Sequence, residues 1–168
     1  MEVVKEHKKF ALKTVNIGII TVSSSRTIES DKSGKIIKEI AINSGHNIVN
    51  HIVVKDNKED IKKAISNLIL NEKSQAIIIN GGTGISKDDI TVEATAPLFE
   101  KELVSFNALF SYLSFKEIGS PALLSRATAG IYKNSVIFCL PGSPNAVKLA
   151  MKKLILPEIG HILYVLTR

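Results

Sequence analysis

The residues best suited to chemistry lie in one short stretch, 81–91, which we call the glycine loop and which follows the apolar run Ala76–Asn80. The loop begins with Gly81, Gly82, Thr83 and Gly84. Glycines there let backbone N–H groups approach an anionic ligand, and Asp88 and Asp89 supply carboxylates that could hold a divalent cation against it. The pattern indicates a nucleotide or phosphate site, with an ordinary strand-to-loop turn as the alternative.

The glycine spacing excludes two well-known phosphate motifs. A Walker loop needs a second glycine five residues after the first, and counting from either of the first two glycines reaches Ser86 or Lys87 instead. The dinucleotide fingerprint needs glycine at position 87, where this chain has lysine. We therefore expect neither a P-loop nor a nicotinamide or flavin Rossmann site.

A second glycine turn lies between the apolar run Ser135–Leu140 and a predicted helix. Pro141 and Gly142 form this turn. Ser143 could then cap a helix whose first residue is Pro144. Free N–H groups and the positive end of the helix dipole suit an anion, and an ordinary capped helix start is the alternative.

Alternating strands and helices are predicted to position these turns. Apolar, β-branched runs predict strands over Asn16–Val22, Asn47–Val54 and Ala76–Asn80. Between them, two helical stripes are formed by Ile36, Ile37, Ile40 and Ala41, and by Ile61, Ala64, Ile65, Leu68 and Ile69. Asn57 is the predicted N-terminal cap of the second helix. The alternation predicts a three-layer α/β sandwich with a mostly parallel sheet.

The three loops that follow these strands are predicted to share one rim of the sheet, because ligands of open parallel sheets bind beyond the carboxyl ends of the strands. The loops are segments 23–32, 55–57 and 81–91. Asp56 and Asp89 would then meet at this rim from different loops. For Asp56 the alternative is an ordinary charge at a helix start.

The second half of the chain predicts a helix and a hairpin. One helical face is formed by Phe106, Leu109, Phe110 and Leu113. Strands over 128–132 and 135–140, joined by Lys133 and Asn134, predict a tight hairpin. The mostly parallel sheet should therefore contain one antiparallel strand.

Composition favours small anionic ligands over nucleic acid. The chain has 168 residues and a net charge of +6, but its lysines are spread over the predicted helices. Nucleic-acid binding is more typical of a basic tract with interleaved aromatic residues, whereas a spread basic surface attracts phosphorylated small molecules. The four histidines show no metal-ligand spacing, so we expect no zinc site.

Residues 1–14 are predicted to form an N-terminal extension, and residues 15–168 a single domain. The single cysteine, Cys139, lies in an apolar run, which predicts a buried thiol and excludes an internal disulfide. No apolar stretch reaches the roughly 18 residues that span a bilayer, and the charged N-terminus has no signal core. We therefore expect a cytoplasmic protein with no membrane or nucleic-acid partner.

Most of the chain resembles the MoaB/MogA family of molybdenum cofactor biosynthesis proteins, which is related to the G domain of gephyrin. The matching stretches are Thr21-Val22-Ser23 with Arg26, Asp31-x-Ser33-Gly34, Gly45-His46 with Val54-Lys55-Asp56, 81–93, 124–130, Leu140-Pro141-Gly142-Ser143 and 154–159. They follow the family's order over residues 15–161. The resemblance implies the molybdopterin-binding, MogA-like form of the α/β sandwich.

The resemblance also implies an activity. Active members of the family adenylylate molybdopterin with Mg-ATP before metal insertion. Molybdopterin would then be the substrate, ATP a co-substrate and Mg²⁺ the cofactor. A homotrimer or homohexamer is implied as well, with a metal-insertion protein of the same pathway as a further partner.

Residue roles follow from the resemblance position by position. Asp56 and Asp89 match the acidic positions of the family, and would be catalytic and hold Mg²⁺. The implied substrate-binding residues are Ser23, Arg26, Gly81, Gly82, Thr83, Gly84, Arg126, Pro141, Gly142 and Ser143. Among these, Arg126 is a candidate phosphate clamp, with a structural ion pair as the alternative.

One segment departs from the family pattern. Where the family has a Gly-Phe-Gly-Glu-x-x-Arg-like segment, residues 105–111 of this chain read SFNALFS. Ala108 stands in place of the expected glutamate and Ser111 in place of the expected arginine. A non-catalytic homologue that binds pterin or partner proteins is therefore the alternative to an adenylyltransferase.

Overall fold

The computed structural model describes residues 10–168, in which six strands pack with six α-helices. In chain order they are β1 (Asn16–Val22), α1 (Lys32–Asn43), β2 (Asn47–Val54), α2 (Lys58–Leu70), β3 (Ala76–Asn80), α3 (Thr91–Thr95), β4 (Lys101–Glu102), α4 (Val104–Ile118), β5 (Thr128–Tyr132), β6 (Ser135–Leu140), α5 (Pro144–Ala150) and α6 (Ile159–Leu166). Short 3₁₀ turns occupy Ala96–Leu98 and Ser120–Leu124, and α5 continues as a π-helix over Met151–Ile155. None of the helices in this part of the chain is long and apolar enough to cross a membrane.

The strands form one sheet in the order β2-β1-β3-β6-β5-β4. β1 pairs in parallel with both β2 and β3, and β3 pairs in parallel with β6. β5 runs antiparallel to both of its neighbours, β6 and β4. The prediction of a mostly parallel sheet with one antiparallel strand is therefore confirmed.

Helices cover both faces of the sheet, which gives the three predicted layers. Successive side chains of β1 point to opposite faces. Ile17 and Ile19 join the core beneath α1, α4, α5 and α6, whereas Ile20 and Val22 join the core beneath α2 and α3. Because the central strands are buried on both faces, their sequences are almost continuously apolar. The predicted α/β sandwich is confirmed.

The first three strands have the bounds that the sequence predicts, and the helices between them follow the predicted periodicity. The apolar stripe of α2 is buried as expected. Asn57 caps this helix: its Oδ1 accepts hydrogen bonds from the backbone N–H groups of Glu59 at 2.9 Å and Asp60 at 3.2 Å. Local periodicity and capping chemistry therefore account for the βαβαβ half of the fold.

The predicted hairpin between β5 and β6 is confirmed. Lys133 and Asn134 have φ angles of 48° and 59°, so both turn residues are left-handed. This is the conformation of a two-residue turn whose twist matches that of the paired strands. The turn reverses the chain, so that β6 enters the sheet parallel to β3 and ends at the same rim.

Two features of the second half differ from the sequence-based expectation. Leu109 was predicted to pack with the helical face, but its side chain is 50% exposed, while Phe106 and Phe110 are buried. The prediction is wrong because α4 is apolar on more than one side and only the phenylalanine side faces the sheet. β4 is not predicted, since a two-residue edge strand carries no periodicity.

The two ends of the described chain pack against each other. The Phe10 ring stacks on the Tyr164 ring with centroids 5.6 Å apart, and the Leu12 N–H donates to the Gly160 carbonyl at 3.1 Å. This contact fixes the last part of the predicted N-terminal extension on α6. Residues 1–9 of that extension lie outside the described residues.

Candidate functional site

The loops that follow β1, β2, β3 and β6 meet at one rim of the sheet and enclose a cavity of about 480 Å³. Its lining residues are Val22, Ser23, Ser24, Ser25, Arg26, Asp56, Gly81, Gly82, Thr83, Gly84, Asp89, Ser125, Pro141 and Gly142. The three predicted rim loops therefore do meet, and the second glycine turn joins them. Of the predicted site residues, Arg126 and Ser143 are the two that do not line the cavity.

The glycine loop begins with two residues in the left-handed region, Gly81 at φ 94° and Gly82 at φ 62°. Only glycine adopts these angles at little cost, and a Cβ at Gly81 would strike the carbonyl oxygen of Val22. The loop is fastened at its base. The Gly81 N–H donates to the Leu140 carbonyl at 3.0 Å, and the Thr91 hydroxyl donates to the Gly81 carbonyl at 2.8 Å.

The half-buried carboxylate of Asp89 closes a turn inside the glycine loop. Its Oδ2 accepts hydrogen bonds from the Ser86 hydroxyl at 2.7 Å and the Ser86 N–H at 2.9 Å. The bond from the Ser86 hydroxyl is the main reason why the pKa of Asp89 lies below its usual value. A Cβ at Gly84 would lie 2.7 Å from this carboxylate, so a larger residue at position 84 would crowd the Asp89 side chain. Asp89 is therefore ionised and oriented at neutral pH.

The carboxylate of Asp56 reaches the same cavity from the loop after β2. The Ser24 hydroxyl donates to its Oδ2 at 2.7 Å. Its Oδ1 would lie 3.4 Å from a Cβ at Gly82, which places it beside the start of the glycine loop. The two predicted acidic residues thus lie at the same cavity from different loops, Asp56 beside Gly82 and Asp89 within the glycine loop beside Gly84.

Arg26 enters the cavity beside the second glycine turn. Its Nη1 donates to the Gly142 carbonyl at 3.2 Å, and the Ser33 hydroxyl donates to the same oxygen at 2.8 Å. The Ser23 hydroxyl accepts the Arg26 N–H at 3.2 Å and so shapes the turn that carries the arginine. The two glycine turns are in contact, because a Cβ at Gly142 would lie 3.1 Å from the Gly81 Cα.

Ser143 takes the second role that the sequence allowed, an ordinary helix cap. Its Oγ accepts the Ala146 N–H at 3.2 Å, and Pro144 is the first residue of α5, as predicted. The cap lies just beyond the cavity lining. The backbone of Pro141 and Gly142, rather than the Ser143 hydroxyl, therefore forms this wall.

Arg126 lies behind the glycine loop and takes part in an ion pair, the alternative left open by the sequence. Its guanidinium binds both carboxylate oxygens of Glu93. It also donates to the carbonyl oxygens of Thr83 at 3.2 Å, Gly84 at 3.0 Å and Asp89 at 3.1 Å. The hydrogen bonds across the pair raise the pKa of Arg126 and lower that of Glu93, so both groups stay charged.

A buried polar network beneath the rim was missed in the sequence. The carboxylate of Asp31, fully buried, accepts hydrogen bonds from the Thr21 hydroxyl, from the His51 Nε2 at 2.9 Å and from the Gly34 N–H at 3.0 Å. Burial acts to raise the pKa of Asp31, but these hydrogen bonds outweigh it and hold the pKa below its usual value. Two sequence signals pointed to Asp31: its position before a helical stripe, where aspartate is a favoured cap, and the stretch Asp31-x-Ser33-Gly34 that resembles the family.

This network links the first three strands through Thr21 in β1, His51 in β2 and Asn80 at the end of β3. The Asn80 amide donates to the Thr21 Oγ1 at 2.8 Å, and the Arg26 guanidinium lies 4.0 Å from the Asp31 Oδ1. Asp31 therefore stands between the core and the cationic side chain of the cavity. Ser125, which lines the cavity, was also not singled out as a site residue, although it lies in the stretch 124–130 that resembles the family.

Comparison with known proteins identifies the family. A family described as "Probable molybdopterin binding domain" matches residues 18–161. A protein from Bacillus cereus named molybdenum cofactor biosynthesis protein B is 48% identical over 166 residues, which cover 98% of each chain. Its namesake from Bacillus subtilis is 46% identical over 160 residues, covering 95% of this chain and 94% of the relative.

Solved structures agree with these relatives. A crystal structure of molybdenum cofactor biosynthesis protein B superposes with a TM-score of 0.90 at 46% identity, covering 93% of this chain and 98% of its own. The tungsten cofactor synthesizing protein MoaB from Pyrococcus furiosus superposes with a TM-score of 0.84 at 38% identity, covering 94% of this chain and 100% of its own.

Proposed function

The chain belongs to the MoaB/MogA family of molybdenum cofactor biosynthesis proteins, and we propose that within this pathway it transfers an adenylyl group from Mg-ATP to molybdopterin. The terminal phosphate of molybdopterin attacks the α-phosphate of ATP. A P–O bond forms there as the bond to the β-phosphate oxygen breaks, and pyrophosphate leaves. The adenylylated pterin is then the substrate of a metal-insertion step.

One observation carries this proposal: two carboxylates and one guanidinium converge on a loop that offers backbone N–H groups. Asp56 lies beside the glycine loop, Asp89 lies within it, and Arg26 enters the same cavity beside Gly142. Two polyanions must meet for this reaction, so their charges have to be neutralised from several sides. Four of the fourteen lining residues are glycines, and at these positions phosphates can approach the backbone without a side chain in the way.

The donor set fits Mg²⁺ in the presence of a nucleotide. The described residues contain no group of three or more His, Cys, Asp or Glu side chains that could hold a metal ion. Mg²⁺ is usually held by one or two carboxylates and completes its shell with phosphate oxygens and water. Asp56 and Asp89 are the residues that would hold it, and the Asp56 Oδ1 accepts no hydrogen bond from the described residues. The ion would neutralise charge that develops on the phosphates.

The departure from the family pattern lies away from the cavity. Ala108 and Ser111 are exposed on α4, and neither lines the cavity. The Ser111 hydroxyl donates to the Asn107 Oδ1 at 3.2 Å, within the helix itself. The absent glutamate and arginine therefore alter the outer surface of α4 and leave the carboxylates and the glycine loop in place. This supports an active enzyme over a non-catalytic homologue.

Assembly into a homo-oligomer, a trimer or a hexamer, is part of the proposal. The outer side of α4 and the 3₁₀ turn after it expose Val104, Leu109, Tyr112, Phe115, Ile118, Leu123 and Leu124. An apolar surface of this kind on a small domain typically marks an interface, and symmetric self-association is the commonest way to cover it.

An adenylylation assay tests the activity. The purified chain is incubated with molybdopterin and Mg-ATP, and adenylylated pterin and pyrophosphate are quantified. Asp89→Asn should lower turnover on the order of a hundredfold or more, because an oriented charge at the phosphates is lost. Asp88, the other aspartate that the sequence offers as a cation ligand, is exposed and does not line the cavity, so Asp88→Asn is the matched control and should keep wild-type turnover. Pterin binding without any product from the wild-type chain would instead favour the non-catalytic homologue.

A further inference from the structure

Arg126 uses most of its hydrogen-bonding capacity on the protein itself. A guanidinium has five N–H donors. The Nε–H is shared by the Thr83 and Gly84 carbonyls, and the Nη2 group serves the Asp89 carbonyl and one oxygen of Glu93. The Nη1 group binds the other Glu93 oxygen, which leaves one N–H without a partner among residues 10–168. A phosphate would therefore find little of this side chain available.

The middle of the glycine loop depends on this arginine. The base of the loop is held by Leu140 and by Thr91, and the Ser86–Asp89 turn is internal to the loop. Within residues 10–168, the hydrogen bonds that reach the carbonyls of 83, 84 and 89 from outside the loop all come from Arg126, whose backbone N–H also donates to Thr83 at 3.2 Å. Residues 85–88 of the loop are exposed to solvent, and Ile85 is 70% exposed.

Glu93 fixes the arginine in this position. It lies in the first turn of α3, which starts where the loop ends. Both of its carboxylate oxygens accept hydrogen bonds from the guanidinium. Paired N–H···O bonds of this kind set the plane of a guanidinium as well as its position. The plane then aims the remaining donors at the loop carbonyls, so hydrogen bonds from Arg126 join α3 to the loop.

Arg26 has the opposite arrangement. The two side chains are about equally exposed, 39% for Arg26 and 35% for Arg126, but the hydrogen bonding of the Arg26 side chain to the described residues is a single bond from Nη1 to Gly142. Asp31 lies behind it at 4.0 Å as a buried counter-charge. Among the lining residues of the cavity, within the described part of the chain, Arg26 is the one cationic side chain.

We propose that Arg126 and Glu93 are a positioning pair that holds the glycine loop and Asp89 in their working geometry, and that Arg26 is the guanidinium that contacts ligand phosphate. The pair touches no ligand. It acts by keeping the N–H groups of the loop and the Asp89 carboxylate aimed at the cavity. The assignment to phosphate rests on the proposed function, whereas the role of the pair in ordering the loop does not.

Amide hydrogen exchange of the full chain without ligand tests the loop-ordering part directly. Arg126→Gln should speed exchange of the amides at 83–89 by about tenfold or more, because the external bonds to the loop are lost. Glu93→Gln should have a smaller effect, since the bonds from Arg126 to the carbonyls remain. Glu59→Gln, which removes a carboxylate from the exposed Lys62 pair on α2, is the matched control and should change nothing at 83–89. Unchanged loop exchange in Arg126→Gln would overturn the proposal.

Binding and turnover then separate the two arginines. Arg26→Gln should weaken binding of inorganic pyrophosphate with Mg²⁺ by about tenfold or more and raise the KM for ATP. Arg126→Gln should lower kcat with a much smaller change in KM, because it displaces Asp89 rather than a ligand contact. If Arg126→Gln weakened pyrophosphate binding as much as Arg26→Gln while loop exchange stayed normal, Arg126 would be a phosphate clamp after all. If the wild-type chain gave no adenylylated product, the exchange and pyrophosphate results would still decide this assignment.

Discussion

The Ser24 hydroxyl donates a hydrogen bond of 2.7 Å to the Asp56 Oδ2, so the loop after β1 fixes the carboxylate that follows β2. Asp56 lies just beyond the end of β2, an edge strand, and its own N–H donates to the Ser24 Oγ at 3.5 Å. The bond therefore sets which oxygen faces the glycine loop.

Removing this bond should impair the proposed metal site without removing the carboxylate. Ser24→Ala is expected to raise the Mg²⁺ concentration needed for half-maximal turnover by about tenfold, in the range typical for partners of metal ligands. Magnesium titrations of the adenylylation rate measure this. Ser30→Ala, in the same loop but outside the cavity lining, should behave as wild type. Equal magnesium dependence of the two variants would show that Asp56 needs no support from Ser24.

The buried carboxylate of Asp31 should raise the free energy of unfolding at neutral pH and lose this effect in acid. Its pKa is lower in the folded chain than in the unfolded chain, so its ionised form contributes stability above about pH 4 and loses it as the pH falls through the folded pKa. Asp31→Asn keeps a good helix cap but carries no charge. The variant should have a lower free energy of unfolding than wild type near neutral pH. This gap between the two free energies should narrow as the pH falls below about 4.

Urea unfolding of the two proteins at several pH values between about pH 5 and about pH 3 measures this gap. Comparing the pair at each pH removes the contributions of the other carboxylates, which the two proteins share. A gap that stays constant over the whole range would mean that the Asp31 charge contributes nothing to folding.

Cys139 should be unreactive in the folded protein. Burial in β6 raises the pKa of its thiol to about 12, so at about pH 8 roughly one thiol in ten thousand is ionised. A disulfide reagent should label the native chain only as fast as the chain unfolds, and should label it at once in denaturant. Rapid labelling of native protein, with retained circular dichroism, would contradict the buried position of this thiol.

The exposed apolar side of α4 should hold the oligomer together. Phe115 is 57% exposed there, and a buried charge at its position would be costly in an interface, so Phe115→Glu should shift the assembly to smaller species. Light scattering after gel filtration gives the mass of each species. Leu70→Glu, at a residue 49% exposed on α2, is the matched control and should leave the mass unchanged. A wild-type chain that elutes as a monomer would refute the proposed assembly.

The regular part of the fold could be predicted because it follows from local rules. Asn16–Val22 and Ala76–Asn80 are buried on both faces, so their apolar runs end where the strands end. The Lys133-Asn134 turn could be predicted for a similar reason, since few short sequences join two such runs in a two-residue hairpin. The edge strands of the sheet and the outer faces of the helices are harder to predict from periodicity, as the exposure of Leu109 on α4 shows.

The glycines and the two aspartates of the candidate site could be predicted from the sequence, but the hydrogen-bonded pairs behind them could not. Backbone positions with left-handed φ angles are usually occupied by glycine, as at Gly81 and Gly82, so the sequence itself indicates them. The partners of Arg126 and Asp31 leave none, because Glu93 lies 33 positions before its arginine and His51 lies 20 positions after its aspartate. The proposed roles of Arg26, which contacts the ligand, and of Arg126, which positions the glycine loop, depend on such distant pairs.

The hairpin that inverts β5 has a consequence for how the protein is made. β6 inserts between β3 and β5, and the bond from the Gly81 N–H to the Leu140 carbonyl forms only when this strand is present. A chain emerging from the ribosome exposes both aspartates long before the wall formed by Pro141 and Gly142 has been synthesised. The cavity is therefore complete only after residue 142 has been synthesised, so an incomplete chain carries both aspartates without the wall that faces them.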